Sequence, residues 1–224
     1  MKIAIIAAMS KELALLLPLI ENCNEKDVNG YKFFTGRMGG HEVIAAQSGI
    51  GKVNAALAAQ VLIDSFHPEM VVNTGVAGGV GKTCVLDVVI PSEVAYHDVW
   101  CGPGTQWGEA AGCPRKLPCH VPAGVVGEIG ARTGLLASGD IFISIPEEVG
   151  RILELYPDAI AVDMESAAIA QTCYLRNVPF ACIRVISDTP GAADNIAQYE
   201  NFWEAAPRAT FYALKAFISK ILHT

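Results

Sequence analysis

Residues 159–188 read AIAVDMESAAIAQTCYLRNVPFACIRVISD. The apolar run 159–163 has the length of a buried strand. Residues 165–176 are rich in Ala and read as a helix. Residues 180–186 return to a continuous apolar run, with several β-branched side chains, and stop at Ser187-Asp188. A run that is apolar on both faces belongs to a strand covered on both sides, as in a parallel sheet with helices above and below. Strand, helix and strand in succession therefore set an α/β fold.

The same alternation continues in both directions. Residues 2–9, KIAIIAAM, form another buried strand. Ser10 offers an N-cap for a helix starting at Lys11. Residues 31–47 read as a hairpin turning at Gly39-Gly40, and residues 52–66 as a helix after the Gly49–Gly51 turn. A strand at 70–74 runs into a glycine loop, Gly75 to Gly81, and a further strand covers 86–97. Residues 101–127 carry six glycines and four prolines and read as a long loop. A strand near 133–138 and a helix at 146–155 follow. After Asp188 comes a polar, glycine-containing segment, 189–200, and a last helix at 201–222. The expectation is one α/β domain over residues 1–224, with a twisted mixed sheet, mainly parallel, flanked by helices.

Composition narrows the function. The chain has 224 residues, of which 52% are hydrophobic and 17% charged, with net charge −7. That excludes a disordered chain and disfavours nucleic acid or anionic membrane as a partner. No apolar run reaches the ~20 residues of a membrane span. Lys2 before an apolar run imitates a signal peptide, but Lys11 and Glu12 interrupt it. Seven scattered cysteines, an odd number, read as reduced thiols in a cytosolic protein. The charge content is low for a soluble domain. The surplus apolar surface belongs in a large core or in a homodimer interface.

Several familiar motifs fail. Ser48-Gly49-Ile50-Gly51-Lys52 lacks the first glycine of a phosphate loop, where Ala46 stands, and Val53 replaces the hydroxyl that would hold magnesium. A dinucleotide fingerprint fails at Asn54. Cys113 and Cys119-His120 lack the spacing of a structural zinc site. No metal and no cofactor is expected.

Polar residues just beyond strand C-termini are the better candidates, since sites in such sheets lie there. They are Glu12, Ser48, Asn73-Thr74, Asp140, Glu165 and Ser187-Asp188. Singly, each carboxylate has an ordinary structural use at a helix start or turn. Together, Glu12, Glu165 and Asp188 would converge at one sheet edge and raise one another's pKa. A base and an acid in one cleft suit hydrolysis of a glycosidic bond.

These residues sit in a recognisable series: 1–12 (MKIAIIAAMSKE), 48–53 (SGIGKV), 73–79 (NTGVAGG), Tyr96-His97-Asp98, 138–143 (SGDIFI), 161–168 (AVDMESAA) and 184–188 (RVISD). The series resembles the bacterial 5′-methylthioadenosine/S-adenosylhomocysteine nucleosidases of the nucleoside phosphorylase superfamily, in order and over nearly the whole chain. The resemblance implies that Glu12 is the general base activating water and Asp188 the general acid protonating N7 of adenine. It implies that Glu165 holds a ribose hydroxyl, Met164 packs on the sugar, Phe142 stacks on adenine and the Ile143 backbone reads the base edge. Ala77 and Gly78 would admit close approach of main chain, Met9 and Ile50 would line the 5′-thio pocket, Arg184 would position the water with Glu12, and Ser187 would complete the binding set. A homodimer whose partner helps close the pocket is also implied. Val76 stands where many members carry Ser, Asp163 where Glu is commoner, and residues 115–130 are short for the helix expected there.

Three other readings remain at this stage. A phosphorylase of the same fold would need an anion site, whereas Glu12 at the helix start repels phosphate. Another 5′-substituted adenosine, such as aminodeoxyfutalosine or deoxyadenosine, carries the same adenine–ribose core. A non-catalytic nucleoside-binding protein would need neither Glu12 nor Asp188.

Overall fold

The computed structural model describes residues 1–205 and 207–222. Its elements in chain order are β1 (Lys2–Ala7), α1 (Ser10–Leu16), β2 (Glu21–Val28), β3 (Tyr31–Met38), β4 (His41–Gln47), α2 (Lys52–Phe66), β5 (Met70–Gly79), β6 (Val88–Val89), β7 (Glu93–Tyr96), β8 (Leu117–Pro118), α3 (Val125–Ile129), β9 (Leu135–Ser138), α4 (Pro146–Leu155), β10 (Ala159–Asp163), α5 (Ser166–Leu175), β11 (Phe180–Asp188), α6 (Asn195–Ala205) and α7 (Pro207–Leu222). A short 3₁₀ turn, Leu17–Leu19, closes α1 at Pro18. No helix among the described residues is long and apolar enough to cross a membrane.

The strands form one mixed sheet in the order β2-β3-β4-β1-β5-β10-β9-β7-β8. The hub is β5, whose ten residues pair on both edges. One edge runs parallel to β11, from Val71↔Phe180 to Gly78↔Asp188. The other edge is shared. β1 takes its first half, from Ile3↔Met70 to Ala7↔Thr74, and β10 takes its end, antiparallel, at Gly78 and Gly79. Between them, Gly75, Val76 and Ala77 have no strand partner on that side. Backbone N–H and C=O groups left there must find other partners or a ligand. The gap in the ladder is where the functional pocket opens.

Apolar residues pack on both faces. Along β1, Ala4 and Ile6 join the cluster under α2 and α5, while Ile3, Ile5 and Ala7 join the one under α1 and α7. That two-sided burial is why β1 reads as an unbroken apolar run. Small residues line the seam of α2, with Ala55, Ala58 and Ala59 fully buried, so this helix lies close against α5. A third cluster joins α4 to β9 and β10 through Ile152, Leu135 and Val162.

Some expectations need correction. β1 stops at Ala7, and Met9 rather than Ser10 occupies the N-cap of α1. The hairpin is a three-stranded meander, because β2 precedes it through a turn with positive φ at Asn29 and Gly30. The presumed glycine loop after residue 74 is strand as far as Gly79. The 86–97 strand divides into β6 and β7, with Pro91 between, since proline cannot donate to a ladder. The 101–127 loop contains β8 and leads into α3, a helix of five residues. The final helical region starts earlier than expected, at Asn195 with α6, and α7 follows from Pro207.

Candidate active site

Glu12 lies in the first turn of α1 and is 5% exposed. Its Oε2 accepts N–H bonds from Ala8 at 3.0 Å and Met9 at 2.9 Å. Its Oε1 accepts the N–H of Val76 at 3.0 Å, in the unpaired stretch of β5. The carboxylate thus replaces the missing strand. The approach is so close that a Cβ on Gly75 would lie 2.4 Å from Oε1, which explains glycine there. Burial pushes the Glu12 carboxyl above its ordinary value, while the three N–H donors and the Arg184 guanidinium pull it down.

Glu165 caps α5 after β10, and its Oε1 accepts the Gly51 N–H at 2.9 Å, tying the α2 turn to the pocket. Burial, then the charge of Asp163, pushes its carboxyl up to about 7. Asp188 ends β11. Its Oδ1 accepts the Ser187 hydroxyl at 2.6 Å and its Oδ2 accepts Asn195 Nδ2. Burial raises its carboxyl too, and only these two hydrogen bonds oppose the shift.

The three carboxylates line one pocket together with Met9, Ile50, Ala77, Gly78, Phe142, Ile143 and Met164. Ten of the residues singled out from the sequence therefore meet in one place. Two do not reach the lining. Ser187 donates to Asp188 and, at 3.3 Å, to the Ala77 carbonyl. Arg184 lies beneath, 2% exposed, donating to Asp163 Oδ2 at 2.6 Å, to Ser166 Oγ at 2.8 Å and to Asn73 Oδ1. It acts on Glu12 and Glu165 through charge rather than by contact.

The remaining strand-end residues hold structure. Asn73 anchors Arg184 and donates to the Ile6 carbonyl at 2.9 Å, and Asp140 accepts the Lys52 N–H at 2.7 Å at the start of α2. Ser48 turns its hydroxyl to the Gly49 carbonyl.

Sequence reasoning missed Tyr199, Pro190 and Asn195. All three fall in the polar, glycine-containing segment 189–200. Tyr199 stands edge-on to Phe142, with ring centroids 5.5 Å apart, and its hydroxyl lies 3.5 Å from Met9 Sδ. Pro190 packs so tightly on Gly78 that a Cβ there would lie 2.5 Å from its Cγ.

The raised carboxyls bear on stability. A buried acid whose folded pKa exceeds its unfolded value binds more protons in the native state, so stability falls as pH rises between the two values. For Glu165 that window runs from its ordinary 4.5 to about 7. The unliganded protein is expected to melt higher at pH 5.5 than at pH 7.5, and Glu165→Gln to flatten that slope. A melting temperature that climbs steadily from pH 5.5 to 7.5 in both proteins would contradict this.

The pocket combines buried acids, an aromatic face and an apolar end, which fits a purine nucleoside with an apolar substituent. Comparison with known proteins agrees. The profile of the phosphorylase superfamily matches residues 2–219. A relative from Geobacillus sp. (strain WCH70), named 5′-methylthioadenosine/S-adenosylhomocysteine nucleosidase, is 38% identical over 99% of this chain and 99% of its own. The S. pneumoniae 5′-methylthioadenosine/S-adenosylhomocysteine nucleosidase, solved with the transition-state inhibitor MT-ImmA, superposes with a TM-score of 0.91 at 35% identity, covering 99% of this chain and 100% of that one. A futalosine hydrolase mutant of Helicobacter pylori superposes with a TM-score of 0.89 at 26% identity, covering 98% and 99%. The chain belongs to the phosphorylase superfamily and, within it, to the 5′-methylthioadenosine/S-adenosylhomocysteine nucleosidases.

Proposed function

We propose that this protein hydrolyses the N-glycosidic bond of 5′-methylthioadenosine and S-adenosylhomocysteine, releasing adenine and the 5′-thioribose. The observation that carries the reading is the unequal support of two buried carboxyls in one pocket. Glu12 receives three backbone N–H bonds and the field of Arg184, all of which favour its charged form. Asp188 is raised by burial, with no cation among the groups that act on it. Burial raises both carboxyls, and the charge-favouring partners gathered on Glu12 alone suit it to the base and Asp188 to the acid.

In this reading Glu12 takes a proton from water as it attacks C1′. Asp188, protonated, delivers its proton to N7, so adenine leaves neutral. The sugar passes through an oxocarbenium-like state. Glu165 holds a ribose hydroxyl and Met164 covers the sugar face. Phe142 stacks on the base and the Ile143 backbone contacts its edge. Ala77 and Gly78 leave room for close approach, while Met9 and Ile50 receive the thioether.

Phosphorolysis is the competing reaction. Among the described residues no Lys, Arg or His lines the pocket. A phosphate would meet Glu12 with nothing to offset the repulsion. Adenine release is therefore expected at full rate in phosphate-free buffer, with no gain on adding phosphate. A strict phosphate requirement would overturn hydrolysis. A panel of 5′-substituted adenosines run in the same assay, ranked by kcat/KM, tests the substrate, with a futalosine-type nucleoside as the rival.

The homodimer is part of the proposal. Val53 and Leu57 on α2, the stacked Trp100 and Trp107, and Ile141 and Ile145 near the pocket mouth are all large, apolar and exposed. Such exposure supports an interface. Light scattering at micromolar concentration is expected to read twice the chain mass. A mass of 23.8 kDa would contradict it. Seven cysteines without a disulfide support a reducing, cytosolic compartment.

A further inference from the structure

Within one subunit the pocket does not close at its thioether end. Met9, Ile50 and Tyr199 also line an open groove that continues past Lys11, Glu200 and Trp203. Lys11 projects from the first turn of α1, and Glu200 from α6, next to Tyr199. Both are exposed. Lys11 Nζ stands 5.6 Å from the centroid of the Trp203 ring. Neither Lys11 nor Glu200 takes part in an ion pair among the described residues.

The chemistry of that groove differs from the pocket's. The thioether end is apolar and suits a methyl group, which would stop there. The groove beyond offers one cation, one anion and the face of an indole. An α-amino acid carried on the sulfur would bring the complementary set: two methylenes, then a carboxylate and an ammonium on one carbon. Lys11 suits the carboxylate, Glu200 suits the ammonium, and Trp203 can cover the methylenes. A group without charges gains nothing from either residue.

We propose that this groove is the subsite for an α-amino acid on the 5′-thio group, with Lys11 reading its carboxylate and Glu200 its ammonium. The proposal rests on the nucleosidase reading above and adds what separates the two substrates. Because both charges are exposed, each contact is worth a modest factor, and salt screens it.

The test is kcat/KM for three substrates in the wild type, Lys11→Ala, Lys11→Arg and Glu200→Gln. The substrates are 5′-methylthioadenosine, S-adenosylhomocysteine and the homocysteine analogue lacking its amino group. Lys11→Ala is expected to lower both carboxylate substrates about two- to fivefold while methylthioadenosine is unchanged, and Lys11→Arg to retain them. Glu200→Gln is expected to lower S-adenosylhomocysteine alone. Raising the salt should shrink the wild-type advantage for the carboxylate substrates. An equal loss on all three substrates in Lys11→Ala would overturn the subsite, because Lys11 would then act through the start of α1 and Glu12. Unchanged S-adenosylhomocysteine turnover in both Lys11→Ala and Glu200→Gln would overturn it as well. A wild type that releases adenine from none of the three overturns the nucleosidase reading itself, and the subsite with it.

Discussion

Glu12→Gln is expected to lower kcat by about 10²–10⁴ while leaving the fold intact, the range that a positioned general base supplies. The amide keeps the size and one acceptor, but cannot take a proton from water. It also loses charge at the point where Ala8, Met9 and Val76 aim their N–H groups. One end of the amide must present N–H to N–H, so the strain falls on the gap in β5 rather than on the core. Asp188→Asn is expected to cost a similar factor by the other route, since it retains the geometry made by Ser187 and Asn195 but has no proton to give. The two losses have different signatures. Glu12→Gln should remove the acid limb of the kcat/KM profile against pH. Asp188→Asn should be relieved by a substrate methylated at N7, whose base is already cationic and leaves without a proton. The double variant should be little worse than the worse single one, as for groups that act as a unit. Wild-type-like turnover in either single variant, with circular dichroism unchanged, would reduce the protein to a nucleoside binder or reassign the roles.

How far the sequence discloses this site depends on the kind of signal each residue leaves. β10, α2 and α4 occupy the spans their patterns predict, because apolar runs, alanine seams and a Pro at a helix start are local signals. β2 leaves no such signal. Nearly all of it is exposed, so neither face is apolar and its strand state comes from pairing with β3 alone. The glycines after residue 74 mislead for the opposite reason. They look like a loop, yet they extend β5 because Glu12 and Pro190 crowd the chain where any Cβ would collide. Tyr199 and Asn195 are invisible because nothing within residues 189–200 shows that α6 folds back over β11. The resemblance supplies the roles of Glu12 and Asp188. Only the contacts show that three N–H donors and Arg184 oppose the burial shift at Glu12, while at Asp188 it is opposed by two neutral partners, Ser187 and Asn195.

Arg184→Met is expected to destabilise the protein by about 3–5 kcal/mol, the cost of leaving one partner of a buried ion pair uncompensated. The sequence places this arginine in the middle of an apolar strand, where an unpaired charge could not be held. In the structure its guanidinium is satisfied by Asp163, Asn73, Ser166 and the Ile183 carbonyl, and these partners come from β5, β10, α5 and β11 itself. Methionine fills the volume but leaves Asp163 facing apolar walls and Asn73 short of a donor. For a chain of this size the loss corresponds to a fall of ~6–20 °C in melting temperature. Against a total stability of about 5–15 kcal/mol, that threatens folding at growth temperature. Arg184→Lys should recover little, since an ammonium cannot reproduce the planar fork that spans Asp163 and Asn73. Arg184→Met with Asp163→Asn should recover more, because it removes the stranded charge as well as the cation. A purely structural arginine would change stability alone. This one also holds down the carboxyls of Glu12 and Glu165, so whatever Arg184→Met protein folds should need a higher pH to ionise its base. Its acid limb of kcat/KM should move upward relative to wild type. A variant that melts within about 2 °C of wild type, or one whose acid limb stays in place, would show that Arg184 neither locks the four elements together nor sets the charge of the base.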